Sequence, residues 1–272
     1  MRASGLQSLA TLALACCVVR SAQAAPVSYT TNFDLDEAPL SDNGAWHHDG
    51  LDWTKVEAGS GFAYGTQSGT AGYDDSYAYL SGFPADHSAS AVIHRESDID
   101  GSCTHEVELL LRWADAAHSA RGYECNVAFD GSYAQIVRWN GPFGNFTYLD
   151  SGSVPGGIHD GDRVSAAIVG QTITLSINGK QVARATDATY AAGNPGMGFW
   201  RGGPCGSKHD YAFTSFSATS ATTATTATDA PLKLSKRGML LIGLLGAGWL
   251  VFGLVRRKRT RAARSPSPGA AP

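Results

Sequence analysis

Residues 161–200 constrain the fold more than any other stretch. Val164, Ala166 and Ile168 alternate with more polar neighbours, and after Gly170 the alternation resumes at Ile173, Leu175 and Ile177. A period of two puts alternate side chains on opposite faces of an extended chain, the pattern of a half-buried strand. Asn178-Gly179 follows at once. Both residues accept the positive φ that a two-residue hairpin loop demands, so the pair predicts a tight turn into a further strand over residues 181–185. Another strand is predicted at Met197-Gly198-Phe199-Trp200. No helical period runs through this stretch, and antiparallel β-structure is expected.

The order Gly161-Asp162, strand, Gly170, strand, Asn178-Gly179, strand, Thr186-Asp187, then GNPGMGFW at 193–200, resembles the closing half of a concanavalin A-like lectin/glucanase domain of the laminin G-like type. Leu111-Arg112-Trp113 followed by Gly122-Tyr123-Glu124 is similar to the middle of such domains, and Phe213 to Phe216 to their last strand. The resemblance spans residues 27–217. It implies an all-β fold, a two-sheet antiparallel jelly-roll sandwich. That architecture carries lectins, glycosidases, lyases and adhesion modules alike, so it does not choose among functions. It also implies a structural calcium ion at aspartate-rich loops, for which Asp34, Asp36, Asp74, Asp75, Asp98 and Asp100 have the right ligand chemistry.

The chain of 272 residues divides by composition into one domain with appendages. Arg2, an apolar run and then Ser21-Ala22-Gln23-Ala24 predict a signal peptide over residues 1–24 and hence export. The domain is expected over residues 25–217, followed by an Ala/Thr/Ser-rich spacer at 218–237 that has too little apolar bulk to build a core. Residues 238–255 are 18 consecutive uncharged, mostly apolar residues. As a helix they would cover about 27 Å, enough to span a bilayer core. The arginine-rich tail at 256–272 predicts a cytoplasmic C-terminus, with the β-domain outside a single-pass cell-membrane anchor. Spacer, apolar helix and basic cluster together resemble bacterial sorting tails of the PEP-CTERM sort.

Charge narrows the partners. All 24 acidic residues lie between Asp34 and Asp229, against 10 Lys plus Arg over residues 25–230, a net charge of −14 for the exported part. Such a surface repels polyanions, which speaks against nucleic acid and anionic polysaccharide as ligands. Three cysteines follow the signal peptide: Cys103, Cys125 and Cys205. They allow at most one internal disulfide among three possible pairings. Cys125 alternates with Tyr123, Val127 and Phe129, so burial as a small apolar residue explains it equally well.

The stretch HEVELLLRW at 105–113 bears most on chemistry. On an ideal strand Val107, Leu109, Leu111 and Trp113 share one face, and Glu106, Glu108, Leu110 and Arg112 the other. Carboxylates two apart on a strand start about 6.5–7 Å from each other, near enough to act as an acid and a nucleophile. The pattern partly resembles the catalytic strand of family-16 glucanases, but the third acidic slot is Leu110. An enzyme reading would use Glu106, Glu108 and Glu124. A binding reading uses Arg112, Glu124, Asn126, Tyr133, Gln135, Trp139 and Trp200: aromatic rings offer a plane to the C–H face of a sugar, and amide, carboxylate and guanidinium groups fix its hydroxyls. The expectation is a membrane-tethered module that binds an extracellular, neutral glycan without catalysis. A glycoside hydrolase, or an adhesion module for a protein ligand, stands as the alternative.

Overall fold

The chain folds into β-strands and short turns in a computed structural model that describes residues 25–69, 75–96 and 103–221. In chain order the strands are β1 (Ser28–Thr31), β2 (Thr54–Gly59), β3 (Phe62–Gly65), β4 (Ser76–Tyr79), β5 (His87–His94), β6 (Thr104–Ala116) and β7 (Ser119–Ala128). They continue with β8 (Ala134–Gly141), β9 (Phe146–Gly152), β10 (Arg163–Val169), β11 (Thr172–Ile177), β12 (Lys180–Thr186), β13 (Asn194–Gly202) and β14 (Ala212–Ser220). The predicted Asn178-Gly179 turn joins β11 to β12 with φ of 50° and 78°. The alternation that predicted the hairpin is real: Val164, Ala166, Ile168, Ile173, Leu175 and Ile177 are all buried.

The strands form a jelly-roll-like sandwich. The back sheet runs β12-β11-β10-β5-β14-β3, with β1 also paired to β14; the front sheet runs β4-β13-β6-β7-β8-β9. The sheets are not separate, as an ideal two-sheet sandwich would have them. β2 pairs antiparallel with β3 and, through Thr54 and Lys55, parallel with β4, so one hydrogen-bonded path folds over on itself. Between the layers Val107, Leu109, Leu111, Tyr123, Cys125, Val127, Met197 and Phe199 of the front sheet meet Ala91, Ile93, Ile168, Leu175, Phe213 and Phe216 of the back sheet. A second apolar cluster, Trp53, Tyr77, Leu110, Trp113, Val137 and Trp139, lies on the other face of the front sheet.

The strict alternation expected along β6 breaks at its far end. The pairing of β6 with β7 shifts register between Leu111 and Ala114, and Arg112 takes φ of 47°. This bulge adds a residue, so Trp113 joins the cluster of Leu110 instead of that of Leu111, and Arg112 leaves the glutamate face. The Arg112 guanidinium is buried, with Nε donating to Ala85 O (2.9 Å), Nη1 to Tyr190 O (2.7 Å), and Nη2 to Gly170 O (2.7 Å) and Asp86 Oδ1 (3.0 Å). Its backbone N–H donates to His87 Nε2 at 3.1 Å. Burial holds that imidazole down to about 4. It is therefore neutral, with Nδ1 donating to Pro84 O and Nε2 free to accept. Gly193 makes the bulge possible: a Cβ there would come within 2.1 Å of Arg112 O.

Cys103 and Cys205 form the disulfide, and Cys125 is the buried free thiol. The bond joins positions 102 residues apart, ahead of β6 and after β13. Closing so long a loop removes much disorder from the unfolded chain, so the double change Cys103→Ala, Cys205→Ala should lower stability by about 2–5 kcal/mol. Denaturant midpoints measure it; a loss under about 1 kcal/mol would mean that the bond adds little to the fold.

β14 continues through Ser220, into the stretch expected as spacer, because Ala218 is buried and residues 216–219 pair with β1. The predicted signal peptide, the rest of the spacer, the apolar span 238–255 and the basic tail lie outside the described residues. Among the described residues no helix is long and apolar enough to cross a membrane.

Candidate functional site

The open face of the front sheet is a grid of cross-strand neighbours. Trp200 of β13 stands beside Glu106 of β6. In the next row Gly198, Glu108, Asn126 and Gln135 follow one another across β13, β6, β7 and β8. In the row after that Gly196, Leu110, Glu124, Val137 and Tyr148 do so, reaching β9. The carboxyl missing at Leu110 is thus supplied by the neighbouring strand: Glu124 sits directly across from Leu110 and diagonal to Glu108, within side-chain reach.

Part of this grid borders a cavity of about 200 Å³. Its walls are aromatic, with Tyr133, Trp139, Phe146, Tyr148 and Trp200; Asp75, Glu106, Glu124, Asn126, Gln135 and Val137 complete the lining. Tyr148 is 60% exposed at the rim, whereas Trp139 is buried and braced by edge-to-face contact with Trp53. The indole N–H of Trp139 donates to Glu124 Oε2 at 2.5 Å and Asn126 Nδ2 donates to Glu124 Oε1 at 2.7 Å. The Tyr133 hydroxyl donates to Glu106 Oε1. Trp200 Nε1 and Asn126 Oδ1 are buried without a hydrogen-bond partner. Glu108 is deeper, only 2% exposed and absent from the cavity lining. Its carboxyl lies over Gly198, where a Cβ would come within 2.1 Å of Glu108 Oε2.

Three glutamates in so little space repel one another. Burial, with the charge of Glu124 behind it, pushes Glu106 up to about 8, against the pull of the Tyr133 hydrogen bond. Burial also drives Glu108 well above the usual carboxylate range, and the charges of Glu124, Asp75 and Glu106 add to it. Glu124 is raised by burial in spite of its bonds from Trp139 and Asn126. All three move in one direction. Glu124 differs in its surroundings: the bonds from Trp139 and Asn126 favour its ionised form, and its charge adds to the rise of the other two.

The structure brings Glu106, Glu124, Asn126, Tyr133, Gln135, Trp139 and Trp200 around the cavity, with Glu108 beneath them. Arg112 is the exception among the sugar-binding candidates: the bulge turns it away, and every nitrogen of its guanidinium is bonded to the surrounding loops. Phe146 and Tyr148 were missed. Their spacing of two on a strand was the available signal.

The aspartates expected to hold calcium do not converge among the described residues. Asp36 Oδ1 accepts the backbone N–H of Ser60 at 2.9 Å, and Asp34 lines a recess with Glu37 and Asp42. Neither belongs to a three-ligand cluster. Asp74, Asp98 and Asp100 lie outside the described residues. Asp75 alone joins other acids, but these are glutamates of the cavity.

No protein-family model matches this chain. None of the curated proteins matches it either. Among solved structures it is similar to the carbohydrate-binding module CBM66 from Bacillus subtilis, at 14% identity over 67% of this chain and 96% of that one, with a TM-score of 0.47. It is also similar to the β-porphyranase BpGH16B from the human gut bacterium Bacteroides plebeius, at 10% identity over 74% and 94%, TM-score 0.42. The galectin LEC-6 of Caenorhabditis elegans is similar at 16% identity over 53% and 89%, TM-score 0.38.

Proposed function

We propose that this domain binds a neutral glycan in the front-sheet cavity and performs no chemistry on it. The observation that carries the reading is the combination of aromatic walls with the unpaired indole N–H of Trp200 in one small concave site. Aromatic faces take the C–H face of a pyranose, and hydroxyls complete the hydrogen bonding of buried polar atoms. The cavity is below the about 300–1,000 Å³ of sites for drug-sized ligands, which suits one sugar residue. Glu106, pushed up to about 8 by burial, is neutral at and below neutral pH, which suits an uncharged ligand.

The same reading places the domain outside the cell, exported by residues 1–24 and tethered to the membrane by residues 238–255. Its support is the sequence pattern of those segments and the −14 charge of the exported part.

A glycan array probed with the full-length protein tests binding. Tyr148→Ala removes a rim ring that is already 60% exposed, and Gln135→Ala removes an amide; both should fold. Each should weaken binding roughly tenfold, the effect of about 1.4 kcal/mol. Undiminished binding by both variants would move the site elsewhere. The second reading, a glycoside hydrolase, draws on Glu124 standing across from Leu110, which completes a triangle of carboxyls with Glu106 and Glu108. Release of reducing ends by the protein, stopped by Glu106→Gln, would replace the binding reading with that one.

A further inference from the structure

The floor of the cavity holds more acid than a sugar site needs. Oxygen atoms of Asp75, Glu108 and Glu124 all lie within 4.8 Å of one another, and all three residues are buried. No lysine or arginine is among the groups that act on Glu106, Glu108 or Glu124. Buried Glu108 and Glu124 must be neutralised, and with no basic side chain acting on either the remaining agents are protons or a cation.

A second observation points to a ligand. Asn126, directly across from Glu108 on β7 and 5% exposed, has an amide oxygen that nothing donates to. Its Nδ2 is committed to Glu124 Oε1, which keeps Oδ1 beside the cluster. Glu108 Oε1 is likewise buried and unpartnered. Two acceptors left bare next to converging carboxylates call for something that needs electron pairs.

We propose that Asp75, Glu108 and Glu124, with the amide oxygen of Asn126, bind a divalent cation of the oxygen-preferring class, with calcium the best fit in size. Calcium–oxygen distances of about 2.3–2.6 Å let one ion reach oxygens up to about 4.6–5.2 Å apart, and those of this set lie within 4.8 Å of one another. Zinc is disfavoured because the cluster offers no nitrogen or sulfur. Asp75, Glu124 and Asn126 line the open cavity, so the ion has a way in and water or a ligand can complete its shell. Trp139 orients Glu124 from behind as an outer-shell donor. Gly198 leaves the room in which Glu108 turns toward the others. The ion displaces whatever protons the carboxyls hold, and its two positive charges offset most of theirs. The site stands whether or not a sugar binds above it.

The test needs no sugar. Full-length protein is stripped with EDTA, dialysed, and melted at neutral pH with and without millimolar calcium chloride, with magnesium and manganese chloride alongside. At a hundredfold excess over Kd, calcium should raise Tm by about 5–10 °C for a domain of this size. Glu108→Gln keeps volume and hydrogen-bonding capacity, so the variant should melt as a folded protein and lose the shift. Asp75→Asn, nearer the opening, should lose it independently, so a folding defect in one variant leaves the other as the measure. No shift with any of the three ions, or a shift retained in a folded variant, overturns the proposal in favour of protons shared among the acids.

Discussion

Replacement of Arg112 by alanine is expected to lower stability by about 3–5 kcal/mol, a large fraction of what holds a domain together. The figure follows from what the side chain leaves behind. The carbonyls of Ala85, Tyr190 and Gly170 each lose a charged donor, and Asp86 loses its counter-ion. An orphaned buried acceptor costs about 1–3 kcal/mol, and Asp86 adds less than a fully buried acid because a quarter of its side chain meets solvent. Arg112→Lys should recover only a minor part. One ammonium cannot reach four acceptors on the β4–β5, β10–β11 and β12–β13 connections at once. Denaturant unfolding of the two variants reads the effect directly, and a loss below about 1 kcal/mol in Arg112→Ala would show that water replaces the guanidinium at no great cost. The same measurement bears on function: glycan binding that fails only in proportion to the unfolded fraction means that Arg112 holds the fold and not the ligand.

The second large effect is a dependence on pH, measured in chelator so that no cation intervenes. Glu106 has an ordinary value of 4.5 and a folded-state value of about 8. The folded protein therefore holds a proton that the unfolded chain gives up. Stability from this group is complete below pH 4.5 and is lost as pH rises towards about 8. Each carboxyl so held contributes a slope of about 1.4 kcal/mol per pH unit within its window. Glu108 and Glu124 are raised as well and act with the same sign. Asp187 has the opposite sign. Burial raises it, but bonds from Thr189 and Tyr123 and the charge of Arg138 outweigh burial and hold it down, so its contribution fades in acid. Thermal melting should thus peak in mildly acid solution and fall markedly by pH 8.5. Glu106→Gln should flatten the alkaline limb. A profile level from pH 5 to pH 8 would mean that the glutamates are solvated or neutralised in some other way.

Much of the fold was legible because it depends on local period. The Asn178-Gly179 turn and the alternation on either side of it are written within a few residues of one another, and they set β10 to β12 without reference to the rest. The pairing of Glu124 with Asn126 on one face of β7, and of Gln135 with Trp139 on β8, followed from the same rule. What escaped depends on neighbours distant in the chain. Arg112 was assigned to the wrong side because parity assumes one residue per step, and the bulge supplies an extra one whose cause lies at Gly193, far along the sequence. Glu124 was readable as a third carboxyl, but its place opposite Leu110 is set only by the register of β6 against β7. Cys103 and Cys205, likewise, meet only when β6 and β13 are side by side.

One feature of the back sheet bears on how such a domain takes mechanical load. Among the described residues β1 is the first strand and β14 the last, and they pair antiparallel from Ser28 with Thr219 to Thr31 with Phe216, with Val27 bonded to Ser220 just outside. The two ends of the folded unit therefore leave from the same spot. Tension between them parts the rungs singly, starting at Val27, as a zip opens, rather than shearing them all together. A pull on the ends frees β1 first, from a strand pair that is not part of the sheet that carries Trp139 and Trp200.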